Sequence, residues 1–219
     1  MTRFLACLSG FLLAGAAWLP AQEAAPAAPG TSTIPEEFMP LQSEAEKLAQ
    51  SVDAALTKVQ RAMTEQNREA LVQALDQVIA TISDSISKAE TQLEPEAFKT
   101  MERAQEKARD LKSKAAKPSL SDDARERLLK LAERYTANST EGVQIIKNLQ
   151  DTRVILSKDL QKFVDEKDVI LEELELLDFE ETLDSLRTVV NNMENVSLRI
   201  RGMVSGSGIN RPIVSPPAP

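Results

Sequence analysis

Residues 142–204, GVQIIKNLQDTRVILSKDLQKFVDEKDVILEELELLDFEETLDSLRTVVNNMENVSLRIRGMV, decide the fold. The stretch holds no proline, and after Gly142 at its edge the one glycine is Gly202. Ile145, Leu149, Leu156, Leu160, Phe163, Ile170, Leu174 and Leu177 fall three, four or seven residues apart, which places them on one face of a helix. Phe179, Leu183, Leu186, Val190 and Met193 resume that spacing after a shift of phase. An unbroken helix here would run roughly 90 Å. Such a stripe has to be covered, either by the rest of the chain or by a second copy. At the phase shift, Asp178 followed by Glu181 resembles a capping box, so the stretch reads as one long helix or as two that break near Asp178 and fold on each other.

Upstream, Leu41, Ala45, Leu48, Val52, Leu56, Val59 and Met63 step by 4-3-4-4-3-4, an eleven-residue repeat. Leu71, Leu75, Val78, Ile82, Ile86, Ala89 and Leu93 repeat it. The polar residues 64–69, TEQNRE, separate the two runs, and Asn67 suits a new helix N-cap. With neither Gly nor Pro to mark a turn, one continuous helix over 41–93 is favoured over a hairpin broken near Asn67. Glu94-Pro95 predicts a helix end and a fresh start. Ala97, Met101, Ala104, Ala108, Leu111 and Ala115 then form a heptad seam of mostly small residues, closed by Lys117-Pro118. Ser119, Ser121, Asp122 and Asp123 announce the next helix, with Ala124, Leu128, Leu131 and Tyr135 as its seam. ANSTEG, residues 137–142, reads as a turn; its Asn-Ser-Thr also fits a glycosylation sequon, a signal that carries weight only in a eukaryotic secretory setting.

The two ends read differently. Arg3 followed by the uncharged run FLACLSGFLLAGAAWL and by Leu19-Pro20-Ala21 has the form of a secretory signal peptide, cut after Ala21. Residues 22–40 are rich in Ala and Pro, with Pro26, Pro29, Pro35 and Pro40 against a continuous helix; Ile34, Phe38 and Met39 are the residues there able to dock on a helical body. Residues 205–219 form a Gly/Pro-rich tail without a packing pattern.

Composition narrows the function. Cys7 and Trp18, the single cysteine and tryptophan, both lie in the leader, and histidine is absent. The exported product would therefore carry neither thiol nor disulfide. Without His or Cys no Ser-His or Cys-His pair can form, and the scattered glycines make no phosphate-binding loop. The formal charge is −8 and falls by one when Arg3 leaves, which argues against nonspecific nucleic-acid binding. Residues 165–184 hold ten acidic side chains against Lys167 alone. Those carboxylates lack the loop spacing of a calcium site and read as a solvated helix face. Lys99, Arg103, Lys107, Arg109, Lys112, Lys114 and Lys117 concentrate the opposite charge, suited to anionic lipid or, more simply, to pairing with the acidic run within the chain or between subunits.

The reading is all-α: an elongated antiparallel helical bundle or coiled coil with long helices over 41–204, preceded by a signal peptide (1–21) and a linker (22–40) and flanked by disordered termini. No catalytic, cofactor-binding or metal-binding residue is assigned. The expected role is that of an exported, non-enzymatic structural or protein-interaction protein acting through helix packing, a scaffold of the bacterial envelope located in the periplasm or outside the cell. The alternatives are a holdase-like chaperone or adaptor, and a peripheral binder of anionic lipid surfaces. A protein partner or self-association is expected, and no membrane span after cleavage. In plan the chain is similar to periplasmic helical proteins such as the Skp-type holdases, though it shows neither their small β body nor their basic surface, and it is assigned to no family.

Overall fold

The computed structural model describes residues 34–207. The leader, most of the linker and most of the tail lie outside the described residues. All regular structure within them is helical. A short 3₁₀ turn, Glu36–Phe38, leads into α1 (Met39–Thr64). Then follow α2 (Arg68–Lys88), α3 (Glu94–Ala115), α4 (Asp122–Leu176) and α5 (Leu183–Gly202).

The favoured continuous helix over 41–93 is not what forms. The chain reverses at Glu65-Gln66-Asn67, where Gln66 takes a left-handed φ of 51° without being glycine. Asn67 then caps α2, its side chain accepting from the Ala70 amide at 3.0 Å. The cap offsets the modest cost of the left-handed residue. The sideways jump of the leucine stripe between Met63 and Leu71 is thus a hairpin, and both stripes point into one core: Leu41, Val52, Leu56 and Val59 face it from α1, Leu71, Leu75, Val78 and Ile82 from α2.

Two other expected breaks are bridged. Glu94-Pro95 does not end the helix. Residues Ala89–Leu93 widen into a π turn, with the Glu94 amide bonded to the Ala89 carbonyl, and α3 continues directly from it. A proline ring collides with the carbonyl four residues earlier, and a π turn is the local widening that admits it without breaking the helix. ANSTEG is likewise helical, inside the 55 residues of α4. Its weak helix formers are used for packing. Ser139 and Gly142 are buried, and the sequon Asn138 donates from Nδ2 to Glu37 Oε2 at 2.8 Å.

The break near Asp178 does form. α4 stops at Leu176, and the Asp178 amide donates to Glu181 Oε2 at 3.1 Å, one half of the capping box. The second half of the stripe then turns back as α5, burying Leu186, Val190 and Met193. Leu177, assigned to the buried stripe from its spacing, sits in the turn and is exposed.

Packing neighbours follow from cross-helix pairs. Arg68 Nη2 donates to the Leu177 carbonyl at 3.1 Å, Lys167 Nζ meets Asp76 at 2.6 Å, and Arg153 Nε meets Glu94 at 2.7 Å, so the continuous α2–α3 helix runs antiparallel to α4. Gln42 donates to the Arg201 carbonyl at 3.0 Å and Gln60 to Glu194 at 2.9 Å, so α1 runs antiparallel to α5. α1 also packs on α2, and α5 on α4. Four helices therefore surround one apolar core between the α1–α2 hairpin and the level of Gly142. The α3 helix packs chiefly on α4, with the π turn and the 3₁₀ turn as its other neighbours. The four-helix part is the head, and the two-helix extension, residues 98–141, is the arm.

Candidate interaction surface

The base of the arm is built around Phe38, which is fully buried. Its Cζ lies 2.7 Å from where a Cβ on Gly142 would stand, and Met101 Cβ lies 3.0 Å from the same point. Any Cβ here would press on this ring between α3 and α4. Glu37 is tied to Asn138 and Glu36 to Arg134 at 3.6 Å, so the 3₁₀ turn closes the core where the arm departs. About three turns further along α4 into the head, Arg153 lies against the π turn and pairs with Glu94, whose side chain is only 10% exposed, and with Glu90 at 3.4 Å.

The arm's own seam is thin. Ala104, Ala108 and Ala115 are buried on α3, facing Ala132 on α4, with Leu111, Leu128 and Tyr135 half-covered. Small residues let two backbones approach closely but bury little apolar area. The expected seam Ala124-Leu128-Leu131-Tyr135 is corrected in one place: Ala132 takes the inward position and Leu131 is turned outward, 40% exposed; Leu129, two residues away and on a different face of the helix, is 41% exposed. A close alanine-lined contact selects the smaller neighbour, and Ala132 completes the heptad steps Leu128, Ala132, Tyr135, Ser139 and Gly142. An open groove at the tip is lined by Leu120, Ala124, Arg127, Leu128 and Leu131.

The two charged runs do not meet within the chain. The cations of residues 99–117 lie on the arm, and three of the seven pair locally: Lys99 and Arg103 with Glu96, Lys114 with Asp110. Lys107 Nζ stands 5.1 Å from the centre of the Tyr135 ring, a cation–π contact across the arm. The acidic run lies at the other end of α4 and in the α4–α5 turn. There Lys167 is engaged by Asp76, while Leu176 is 83% and Val169 53% exposed among the carboxylates. Among the described residues no three His, Cys, Asp or Glu side chains are gathered to hold a metal ion, and no helix is long and apolar enough to cross a membrane.

Inside the head, two ionisable clusters lock helices together and a third is paired within α4. Arg199 on α5 pairs with Asp159 on α4, both nearly covered. Burial lifts the Asp159 carboxyl above the usual carboxylate range, and Arg199 pulls it only part of the way back. Burial also raises Glu166, whose counter-charge is Lys162 at 3.5 Å. Arg201 spans Glu46 and Asp53 on α1 at 2.9 and 2.8 Å. Burial works against the Arg201 charge, and the hydrogen bonds to Asp53 and Glu46 outweigh it and raise its pKa. The Arg199–Asp159 pair is buried between α5 and α4, and Arg201 bridges to α1 half-exposed at the surface; both join two helices, which is the arrangement of a structural clamp. The two grooves beside α1 are open: the one towards α5 mixes Met63, Leu183 and Val190 with Gln60, Arg187 and Glu194, and the one towards α2 is lined mainly by Gln, Lys, Arg and Glu.

Neither protein families, nor curated proteins, nor solved structures give a match to this chain. The site therefore rests on its own geometry: a slender arm whose tip carries a mainly apolar groove with Arg127 and Asp123 in its lining.

Proposed function

We propose that the chain is a non-enzymatic interaction protein, exported to the bacterial envelope, that works through its arm. The head acts as an antiparallel helical bundle that holds the arm, and the arm acts as a two-stranded coiled coil with its contact surface at the tip. One observation carries this reading. The arm's alanine seam uses its small residues inward and leaves Leu131 40% exposed in the groove that Leu120 and Leu128 also line. Scattered exposed leucines need no explanation, but several gathered on a two-helix tip mark a contact surface. The clamps of the head support the same division, because they spend the chain's ionisable side chains on rigidity.

The test is photo-crosslinking in the native cell, with benzoylphenylalanine replacing Leu131 and, as control, replacing Thr57 on the exposed face of α1. Position 131 is expected to give protein adducts that position 57 does not. A single dominant adduct would mark a scaffold, and a ladder of many masses a holdase clasping varied clients. No adduct at 131, or equal yields at both positions, would sink the reading.

A further inference from the structure

The charge of this chain is concentrated at one end. Residues 165–184 carry ten Asp and Glu against one Lys, a net of −9, so the rest of the chain, against a total of −8, carries +1. Asp168, Glu172, Glu175 and Glu180 have no ion-pair partner among the described residues, and they surround Leu176, Leu177 and Val169, which are 83%, 38% and 53% exposed. At the arm tip the pattern is reversed. From Arg109 to Lys130 there are seven Lys and Arg against four Asp and Glu. Local pairs account for Lys114, Arg125 and Lys130. Arg109, Lys112, Lys117 and Arg127 have no ion-pair partner among the described residues, and they accompany Leu120, Leu128 and Leu131. Each end thus offers an apolar patch with a local excess of one charge sign, cationic at the tip although Asp123 also lines its groove, and acidic at the other end although Arg68 bonds the Leu177 carbonyl there; the two excesses are opposite.

A single copy cannot bring these ends together. α4 carries the tip at its start and the acidic end at its finish, and its 55 helical residues hold them roughly 80 Å apart. Tip against tip, or acidic end against acidic end, sets like charges opposite one another. We propose that the arm tip of one copy docks on the acidic end of the next, around Leu176 and Leu177, so that copies join head to tail. The contact is heterologous: each copy keeps one tip and one acidic end open, so association continues into an open-ended chain unless the rotation closes a ring. This assignment rests on the reading of the arm tip as a contact surface and names its partner as a second copy. Apolar contact supplies adhesion, while the charged rims set register and make the association sensitive to salt.

The experiment is sedimentation velocity on the full chain and on two charge-reversed variants, Lys112→Glu/Lys117→Glu/Arg127→Glu at the tip and Glu172→Lys/Glu175→Lys/Glu180→Lys at the acidic end. All six positions are exposed, and circular dichroism confirms that each variant remains helical. The unmodified chain is expected to grow stepwise with concentration at low salt and to associate about tenfold or more weakly near 1 M salt, where the Debye length falls to about 3 Å. Each variant alone is expected to stay monomeric. Mixed in equal amounts, the two variants supply between them one intact tip and one intact acidic end, which can meet only in the heterologous arrangement. The mixture therefore gives heterodimers joined by the intact pair, which each variant alone cannot form. An unmodified chain that stays monomeric at low salt overturns the inference, as does a mixture that remains monomeric while the unmodified chain associates. Crosslinks from position 131 to a different protein, with the chain itself monomeric, would overturn this assignment while leaving the tip as a contact surface; absence of any crosslink there would overturn both.

Discussion

Replacing Arg199 by methionine is expected to remove about 3–5 kcal/mol of stability at neutral pH, the usual result of leaving a buried charge without its partner. The Arg199 side chain is 5% exposed and that of Asp159 14% exposed, so water cannot take over the role of the guanidinium. Burial already holds the Asp159 carboxyl above its ordinary range, against the pull of Arg199 and Lys162. A folded pKa raised above the unfolded one means a contribution that is fully present below the unfolded value and is lost as pH rises through the folded value. Without Arg199 the folded value moves further up, so the deficit of Arg199→Met should be greatest at neutral pH and shrink as the solution is acidified into the carboxylate range. The double variant Arg199→Met/Asp159→Leu should recover most of the loss, because it removes both charges and fills the space with apolar atoms. Urea unfolding of the three variants at neutral and at mildly acidic pH decides it. A deficit that is small, or that grows on acidification, would show that this pair does not clamp α4 to α5.

Gly142→Leu is expected to lose about 2–4 kcal/mol and to release the N-terminal turn. Overpacking a filled core site costs about 1–3 kcal/mol, and a displaced phenylalanine forfeits about 1.5–3 kcal/mol of burial. The site is filled on two sides, by Phe38 Cζ at 2.7 Å and Met101 Cβ at 3.0 Å from the first added carbon. Gly142→Ala has a smaller loss, since about 1 kcal/mol of gained helix propensity offsets part of the clash. Thermal melting measures the loss, and limited chymotrypsin digestion reads the release, because Phe38 becomes a cleavage site once its ring leaves the core. A Gly142→Leu chain as stable as the parent and uncut at Phe38 would show that the ring is not what closes the base of the arm.

The apolar stripes of this chain are legible because their spacing follows directly from helix geometry. Val52, Val59, Leu71, Leu75, Val78, Leu149, Leu156, Phe163 and Ile170 are all in the core as their periodicity requires. The breaks were harder to place, since each depends on what a residue packs against. Gln66 adopts a left-handed conformation that sequence rules reserve mainly for Gly and Asn, and so a hairpin forms where no breaker stands. Pro95 fails to stop its helix because a π turn absorbs the ring. Asn138, Ser139 and Gly142 look like a turn in isolation, yet their small size and side-chain polarity are what admit Phe38 and satisfy Glu37. The exposed leucines of the tip were missed for a related reason. Leu131 and Ala132 are adjacent, and only the closeness of the α3–α4 contact decides that the alanine goes inward. The alanine-rich spacing on α3 was the available clue, since a small-residue seam on one helix asks for small residues on the other.

The arm exists only if α4 is continuous through Ala137–Gly142, and that can be measured as a length. Single-molecule energy transfer between dyes at Asp123→Cys and Glu175→Cys, on a Cys7→Ser background without other thiols, reads the span of α4 directly; both sites are exposed and near its ends. At about 1.5 Å per residue the continuous helix predicts a separation of about 78 Å. A separation under about 60 Å would place a break near the ANSTEG segment, swing the tip out of line with the head, and contradict the account.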